Sequence, residues 1–241
     1  MAQPSAGVQS KLTMVDVRRM LAVSVQSRAR TPMTQLDKHI ERVQDHSDKN
    51  SIFRQLRQNV ILKEMSEAET AELAPQLVVV DCNKGDLLLH QGVYEMEQYF
   101  ILDGILKRVV TSPEAKEMIL RFAGERDIET SYAAWRLKNQ TPYSIVSVTK
   151  ARVVKMPLPD WVNFIGKHLP LKQSFEFEVT RIMSDIMAHT ITLHLLDAPG
   201  RVHRFLRKHA ELADHIPKKE LASYLNMSAE TLSRLKHQGK I

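Results

Sequence analysis

Residues 217–237 read PKKELASYLNMSAETLSRLKH, the pattern of two short helices joined by a tight turn. In the first helix, Leu221 and Leu225 are four residues apart and share one apolar face. Asn226 follows at the turn, and Asn accepts the left-handed backbone conformation more readily than most residues. Ser228 is placed to cap the second helix, because its hydroxyl can accept an unpaired backbone N–H. The stretch therefore predicts a helix-turn-helix motif.

The second helix of this motif has a polar outer face that suits a DNA reader. In such motifs the N-terminal residues of the second helix contact base edges in the major groove. Arg234 can bind guanine through two hydrogen bonds, and Glu230 can accept one from cytosine. The alternative is an ordinary helical hairpin with a solvated polar face. The predicted DNA-binding residues are Lys218, Ser228, Glu230, Thr231, Ser233, Arg234 and Lys236.

Positive charge is concentrated in the same part of the chain. The whole sequence has a formal net charge of +6. Residues 198–241 contain nine Lys and Arg against four Asp and Glu, whereas residues 51–197 contain 17 against 19. Contact with DNA phosphates requires such a local excess of cations.

Cysteine content and hydropathy limit the class of protein. The single cysteine, Cys82, excludes an internal disulfide framework and an iron–sulfur cluster held by four thiolates. No apolar run approaches the roughly 18 residues of a membrane span. The first 33 residues are poor in acidic side chains and faintly resemble a transit peptide. We expect a cytoplasmic protein without a membrane partner.

The middle of the chain has the pattern of an antiparallel β-barrel or sandwich. Residues 1–50 are interpreted as an N-terminal extension, and Ser66 to Glu69 form a capping box that opens a helix. Short apolar segments separated by turn residues then follow, which is typical of antiparallel strands. The predicted strands are Leu77–Val80, Asp86–His90, Tyr99–Leu102, Leu106–Val110, Met118–Phe122, Ser144–Val148 and Arg152–Met156.

A long helix is predicted over residues 171–196, which contain neither Gly nor Pro. Its apolar residues are spaced alternately three and four apart, which is a heptad seam. Such a seam predicts a parallel two-stranded coil with a second copy of the chain; the alternative is a helix lying on the barrel. The predicted dimer interface consists of Phe175, Val179, Ile182, Ile186, His189 and Leu193.

A hinge and a last amphipathic helix connect this seam to the helix-turn-helix. Asp197 to Gly200 interrupt the long helix, and residues 201–212 resume a helical pattern.

No paired carboxylates, nucleophile–base pair or metal-ligand spacing stands out, so we do not expect an enzyme.

The order of these elements resembles that of the CRP/FNR family of bacterial transcription regulators. The resemblance runs from about residue 59 to residue 241. It is carried by KGDLLLHQG (84–92), YFILDGILKRV (99–109), LLDAPGRVHRFL (195–206) and ELASYLNMSAETLSRL (220–235). It implies an α+β fold with a cyclic-nucleotide-binding-like β-roll (51–168), a dimerisation helix (169–197) and a DNA-binding domain (198–241). Glu230, Ser233 and Arg234 match the family's E-x-x-S-R reading pattern.

The β-roll departs from the family members that bind cyclic AMP. Those members hold the phosphate with Gly-Glu and, about ten residues later, Arg-Ser or Arg-Thr. Here the matching stretches are residues 127–130 and 141–144, and the Arg that would pair with the phosphate is missing. We therefore expect an effector other than cyclic AMP, or none. Candidate effector-binding residues are Arg121, Glu129, Tyr132, Trp135, Arg136 and Tyr143, with scattered surface residues as the alternative.

Two further expectations concern the DNA-binding domain and the cofactors. Family proteins continue into a β-hairpin wing, whereas this sequence stops at Ile241, so we expect the wing to be truncated. No cofactor or metal is predicted; haem is an alternative that would need Cys82, His90 or His189 as axial ligands. Cys82 is also considered as a redox switch, which would require a depressed pKa.

The sequence as a whole predicts a homodimeric, sequence-specific DNA-binding transcription regulator. Its partners would be a palindromic duplex, a small-molecule effector and, for an activator, RNA polymerase. The rival interpretation is a ligand-binding regulatory module with a vestigial DNA reader, which acts through protein contacts.

Overall fold

The computed structural model describes residues 40–241, which form a mixed α+β fold around two antiparallel sheets. The strands are β1 (Ile40–Arg42), β2 (Val78–Cys82), β3 (Leu87–Leu89), β4 (Glu97–Asp103), β5 (Leu106–Thr111), β6 (Glu117–Ala123), β7 (Ile128–Thr130), β8 (Ser144–Ser147) and β9 (Ala151–Pro157). The helices are α1 (Lys49–Leu56), α2 (Glu67–Leu73), α3 (Tyr132–Arg136), α4 (Leu158–Lys167), α5 (Leu169–Leu195), α6 (Ala198–Lys208), α7 (Ala210–Ala213), α8 (Lys218–Tyr224) and α9 (Ala229–His237).

The two sheets form the predicted β-roll. Sheet one has the order β1-β2-β9-β4-β7, and sheet two has the order β3-β8-β5-β6, with antiparallel pairing throughout. Val80, Tyr99, Leu106 and Ile145 are buried together in one core cluster with residues of both sheets. All seven strands expected from the sequence are confirmed. Strands β1 and β7 are additional, and each has only three residues.

The N-terminal boundary of the folded unit differs from the predicted one. Most of the predicted extension, residues 1–39, lies outside the described residues. Residues 40–42, which were assigned to it, pair with β2, so the sheet begins before residue 51. The capping box at α2 is confirmed: the Ser66 hydroxyl accepts the Glu69 N–H, and the Glu69 carboxylate accepts the Ser66 N–H.

The long helix α5 presents the predicted heptad seam to its own chain, which corrects the assignment of that seam to a dimer interface. Phe175 is 0% exposed and Ile182 is 2% exposed, and both belong to the core beneath sheet one. The Phe175 and Trp161 rings meet edge to face with centroids 5.5 Å apart. Val179 and Ile186 pack partly against the same core. The alternative of a helix lying on the barrel therefore describes this face.

A different face of α5 is apolar and exposed. Phe177, Met187, Ile191 and Leu195 are between 50% and 76% exposed. At about 100° per residue, these four positions lie within one quarter of the helix circumference. A second stripe therefore runs along α5, away from the core that covers Phe175.

The C-terminal helices follow a short break. Helix α5 ends at Leu195, and Asp197 caps α6 by accepting the Gly200 N–H at 3.0 Å. Residues 198–200 therefore form the first turn of α6, whereas the sequence predicted that they interrupt the helical structure. Helices α8 and α9 lie where the sequence predicts two helices. Between residues 40 and 241, no helix is both long and apolar enough to cross a membrane.

Candidate functional site

Helices α8 and α9 are held in a fixed arrangement by the residues between them. Asn226 has a φ of 52°, the left-handed conformation that the turn requires. The Ser228 hydroxyl accepts the Thr231 N–H at 3.1 Å and caps α9. Leu232 and Leu235 of α9 are buried in the core shared with α8. Both local predictions from the sequence, the turn and the cap, are confirmed.

The outer face of α9 carries the polar residues expected to read DNA. Glu230, Arg234 and Lys236 are exposed, as is Lys218 at the start of α8. Among the described residues, Arg234 takes part in no ion pair or side-chain hydrogen bond. Its five guanidinium donors are therefore available to a ligand.

The hydroxyl groups on α9 are engaged within the helix. Ser233 donates to the Ala229 carbonyl at 2.8 Å, while Ser228 caps the helix and lies 3.2 Å from the Thr231 hydroxyl. Such local bonds compete with contacts to an outside partner. The free polar groups on this face are consequently the charged side chains.

The interior of the β-roll contains a buried ion pair that the sequence did not predict. Arg108 of β5 donates from Nε and Nη2 to the same Glu129 oxygen, at 3.0 and 2.5 Å. The two side chains are 2% and 0% exposed. Arg108 also donates to the Thr130 carbonyl at 3.1 Å and lies 4.1 Å from the centre of the Tyr143 ring. This guanidinium fills the space beside Glu129.

The predicted effector residues divide into two groups. Arg121, Glu129 and Tyr143 meet around Arg108: Arg121 Nε lies 3.1 Å from the second Glu129 oxygen, and burial raises the pKa of Tyr143. Tyr132 and Trp135 instead stack on each other with centroids 6.1 Å apart, next to α5. Arg136 is exposed. The six residues therefore do not line one site.

Ion pairs continue from this interior to the C-terminal helices. Arg121 contacts Asp127 at 3.0 Å, and Asp127 lies 3.5 Å from Arg181 of α5. Burial raises the pKa of Asp127, although both guanidinium groups oppose that shift. Arg181 in turn contacts Asp185 at 3.3 Å, and Asp185 contacts Lys208 of α6 at 2.6 Å. A continuous chain of charges thus links β7 to α6.

His189 contacts the C-terminal helices of its own chain, which corrects the prediction that it meets a symmetry mate. Its ring stacks on Tyr224 of α8, with centroids 3.7 Å apart and an interplanar angle of 2°. It borders a cavity of about 20 Å³ that Arg204, Lys208 and His209 also line. Burial lowers the pKa of His189 to about 4; a hydrogen bond with the Tyr224 backbone opposes this shift, and the charges of Lys208 and Arg204 add to it.

This lowered pKa predicts a dependence of stability on pH. The unfolded histidine has a pKa of about 6.5, so folding favours the neutral ring. The resulting stabilisation is present above pH 6.5 and is lost as the pH falls from about 6.5 to about 4. We expect His189→Phe to reduce the loss of unfolding free energy between neutral pH and pH 5, measured by urea denaturation. His203→Phe, at an exposed position of α6, should leave it unchanged.

The residues considered for haem or redox chemistry do not form a common site. Burial raises the pKa of Cys82 to about 12, which keeps it a thiol and contradicts the proposed reactive thiolate. His90 is exposed, and His189 stacks on Tyr224. Within residues 40–241, no cluster of three His, Cys, Asp or Glu side chains could hold a metal ion.

Comparison with known proteins agrees with the fold. Residues 79–168 match the family model of the cyclic nucleotide-binding domain. No curated protein sequence matches the chain.

Solved structures of several bacterial proteins share this fold. They include the c-di-GMP-responsive global regulator CLP of Xanthomonas campestris, with a TM-score of 0.60, 13% identity and coverage of 72% of this chain and 92% of CLP. A CooA mutant from Carboxydothermus hydrogenoformans has a TM-score of 0.60, 15% identity and coverage of 76% and 84%. FixK2 from Bradyrhizobium japonicum has a TM-score of 0.57, 15% identity and coverage of 68% and 86%. At these identities, the likeness establishes a fold like that of CRP/FNR-type regulators.

Proposed function

We propose that the protein is a sequence-specific DNA-binding transcription regulator of the CRP/FNR type. The observation that carries this proposal is the pairing of α8 and α9. The turn at Asn226 and the cap at Ser228 orient α9 so that Leu232 and Leu235 are buried while Glu230 and Arg234 face outward. A helix-turn-helix presents its second helix to the major groove in this way.

The effector of this regulator is a small molecule other than cyclic AMP, or there is none. A cyclic phosphate needs a free cation in the β-roll, and the Arg expected from the family resemblance is absent. Arg108, the guanidinium nearest Glu129, is already paired with that carboxylate and stacked on Tyr143. A phosphate would have to displace a buried carboxylate, which is costly unless both partners are compensated.

The dimer uses the exposed stripe on α5. Phe177, Met187, Ile191 and Leu195 lie on one side of the helix and are free of the core. Exposed apolar surface of this kind is typical of association sites. Pairing of two α5 helices along this stripe supplies the two-fold axis that a palindromic DNA site requires.

The proposed function is tested by selecting duplexes from a random pool with the purified protein and no added ligand. We expect enrichment of a two-fold palindrome. If no duplex is enriched, either with or without nucleotide ligands, the result would favour the alternative of a regulatory module with a vestigial DNA-binding motif.

Replacement of Arg234 by Ala should weaken binding to the selected duplex. A base-reading Arg contributes about 1–3 kcal/mol, which corresponds to roughly 5- to 150-fold in the dissociation constant. Fluorescence anisotropy measures the effect. Arg207→Ala is the matched control, because it removes the same charge from an exposed position of α6. Equal losses in the two variants would show that Arg234 contributes only charge.

A further inference from the structure

The C-terminal helices pack against the outer face of sheet two. Ile119 and Phe122 of β6 share one core cluster with Leu221 and Tyr224 of α8 and with Leu225 just after it. The ring centroids of Phe122 and Tyr224 lie 5.1 Å apart. The helix-turn-helix formed by α8 and α9 is therefore in apolar contact with the β-roll of its own chain.

One ion pair crosses this apolar contact. Lys107 of β5 donates from Nζ to the Glu220 carboxylate of α8 at 2.8 Å. The two side chains are 11% and 23% exposed. Apolar contact alone is non-directional, whereas this charged hydrogen bond specifies one position of α8 on the sheet.

The contact also places negative charge beside the start of the reading helix. Glu117 of β6 lines an open groove of about 510 Å³ together with Lys219, Ala229 and Glu230. The N-terminal residues of α9 are the ones that would meet base edges. Glu114 and Glu117 are exposed in the same hairpin and outnumber its one exposed cation, Lys116. A duplex that approaches α9 would meet carboxylates that repel its phosphates.

We propose that sheet two holds α8 and α9 in an autoinhibited position, with the Lys107–Glu220 ion pair as its specific link. DNA reading then requires the helices to leave the hairpin that carries Glu117. The inference rests on the proposed function and adds to it how the DNA-binding helices α8 and α9 are restrained. If only a fraction of molecules has the helices released, the apparent affinity for DNA is reduced by that fraction.

The first test removes the ion pair. In Lys107→Gln and in Glu220→Gln, the selected duplex should bind at least about fivefold tighter than in the wild type, the lower range of an allosteric coupling. The exchanged pair, Lys107→Glu with Glu220→Lys, should return the affinity towards that of the wild type. Lys155→Gln is the matched control: it breaks the Lys155–Glu97 pair in sheet one, at 2.9 Å and with side chains 21% and 26% exposed.

The second test restores the docked position covalently. Glu117→Cys and Lys219→Cys would be joined by a thiol-specific cross-linker, since both residues line the same groove. Cys82 is buried and, with its raised pKa, should not react. The linked protein should bind DNA at least about fivefold more weakly than the same variant with each thiol blocked separately.

The outcomes separate this inference from the proposed function. Tighter binding after removal of the ion pair and weaker binding after cross-linking support autoinhibition. Wild-type protein that binds the palindrome, with ion-pair variants that bind equally well or more weakly, would overturn autoinhibition and leave the proposed function intact. Absence of duplex binding in every variant, including the ion-pair variants, would overturn both. Amide exchange of β6 and α8 reports whether the helices leave the sheet.

Discussion

Glu129→Gln should lower the free energy of unfolding by about 3–5 kcal/mol, because it leaves the Arg108 guanidinium charged and unpaired inside the β-roll. Both partners are buried, and the two hydrogen bonds between them reach the same carboxylate oxygen. Arg121 loses a charged neighbour at 3.1 Å as well. Urea denaturation, with intrinsic fluorescence as the signal, measures the loss.

Two comparisons show whether the charge pair causes this effect. Glu97→Gln breaks a partly exposed pair with Lys155 and should cost about 1 kcal/mol or less. Arg108→Leu combined with Glu129→Leu removes both charges and should recover most of the stability, since buried pairs replaced by apolar residues are often neutral. A loss in Glu129→Gln no larger than in Glu97→Gln would mean that water reaches Arg108.

The same ion pair bears on the choice of effector. Glu129 lies in the stretch where family members that bind cyclic AMP have their Gly-Glu, so its position agrees with the resemblance. Its charged partner, Arg108, is not the arginine that the resemblance would place there. In this chain Arg108 comes from β5, 21 residues earlier, and its charge is neutralised by Glu129. An anionic ligand would gain Arg108 only by taking it from the buried Glu129, which would keep Arg121 as its remaining charged partner. A neutral effector, or one bound elsewhere, avoids that cost.

Local features of the fold were predictable from the sequence. The seven predicted strands alternate with turn residues, and the caps at Ser66 and Ser228 form bonds three residues away. These signals depend on short-range geometry, which the order of residues determines directly. Strands β1 and β7 have three residues each and were missed. Strand β3 is equally short, but it was predicted because its apolar run lies between the turn residues Gly85 and Gly92.

Contacts between distant parts of the chain were not predictable in the same way. The Arg108–Glu129 pair and the Lys107–Glu220 pair join residues 21 and 113 positions apart. An arginine within the apolar run of β5 could have suggested a buried partner, but not which one. The heptad seam of α5 raises the same difficulty, because the spacing indicates an apolar face and does not identify what covers it.

Phe175→Ala should lower the free energy of unfolding by about 3–5 kcal/mol, the usual range for a buried Phe. The ring is fully buried and contacts Trp161 and Tyr132 edge to face, at centroid distances of 5.5 and 5.1 Å. Because these contacts lie within one chain, we expect the loss to be independent of protein concentration. Urea denaturation over a wide range of concentrations tests this expectation.

Phe177→Ala is the matched control, since it makes the same replacement two residues away on the same helix. Phe177 is 72% exposed, so the change should alter the stability of the single chain by no more than about 0.5 kcal/mol. It should instead weaken self-association, measured by light scattering during dilution. If Phe175→Ala shifted the dimer–monomer equilibrium and Phe177→Ala did not, the heptad seam would face the partner after all. The opposite result would place the dimer axis along Phe177, Met187, Ile191 and Leu195, because only exposed apolar surface can be buried by a second copy.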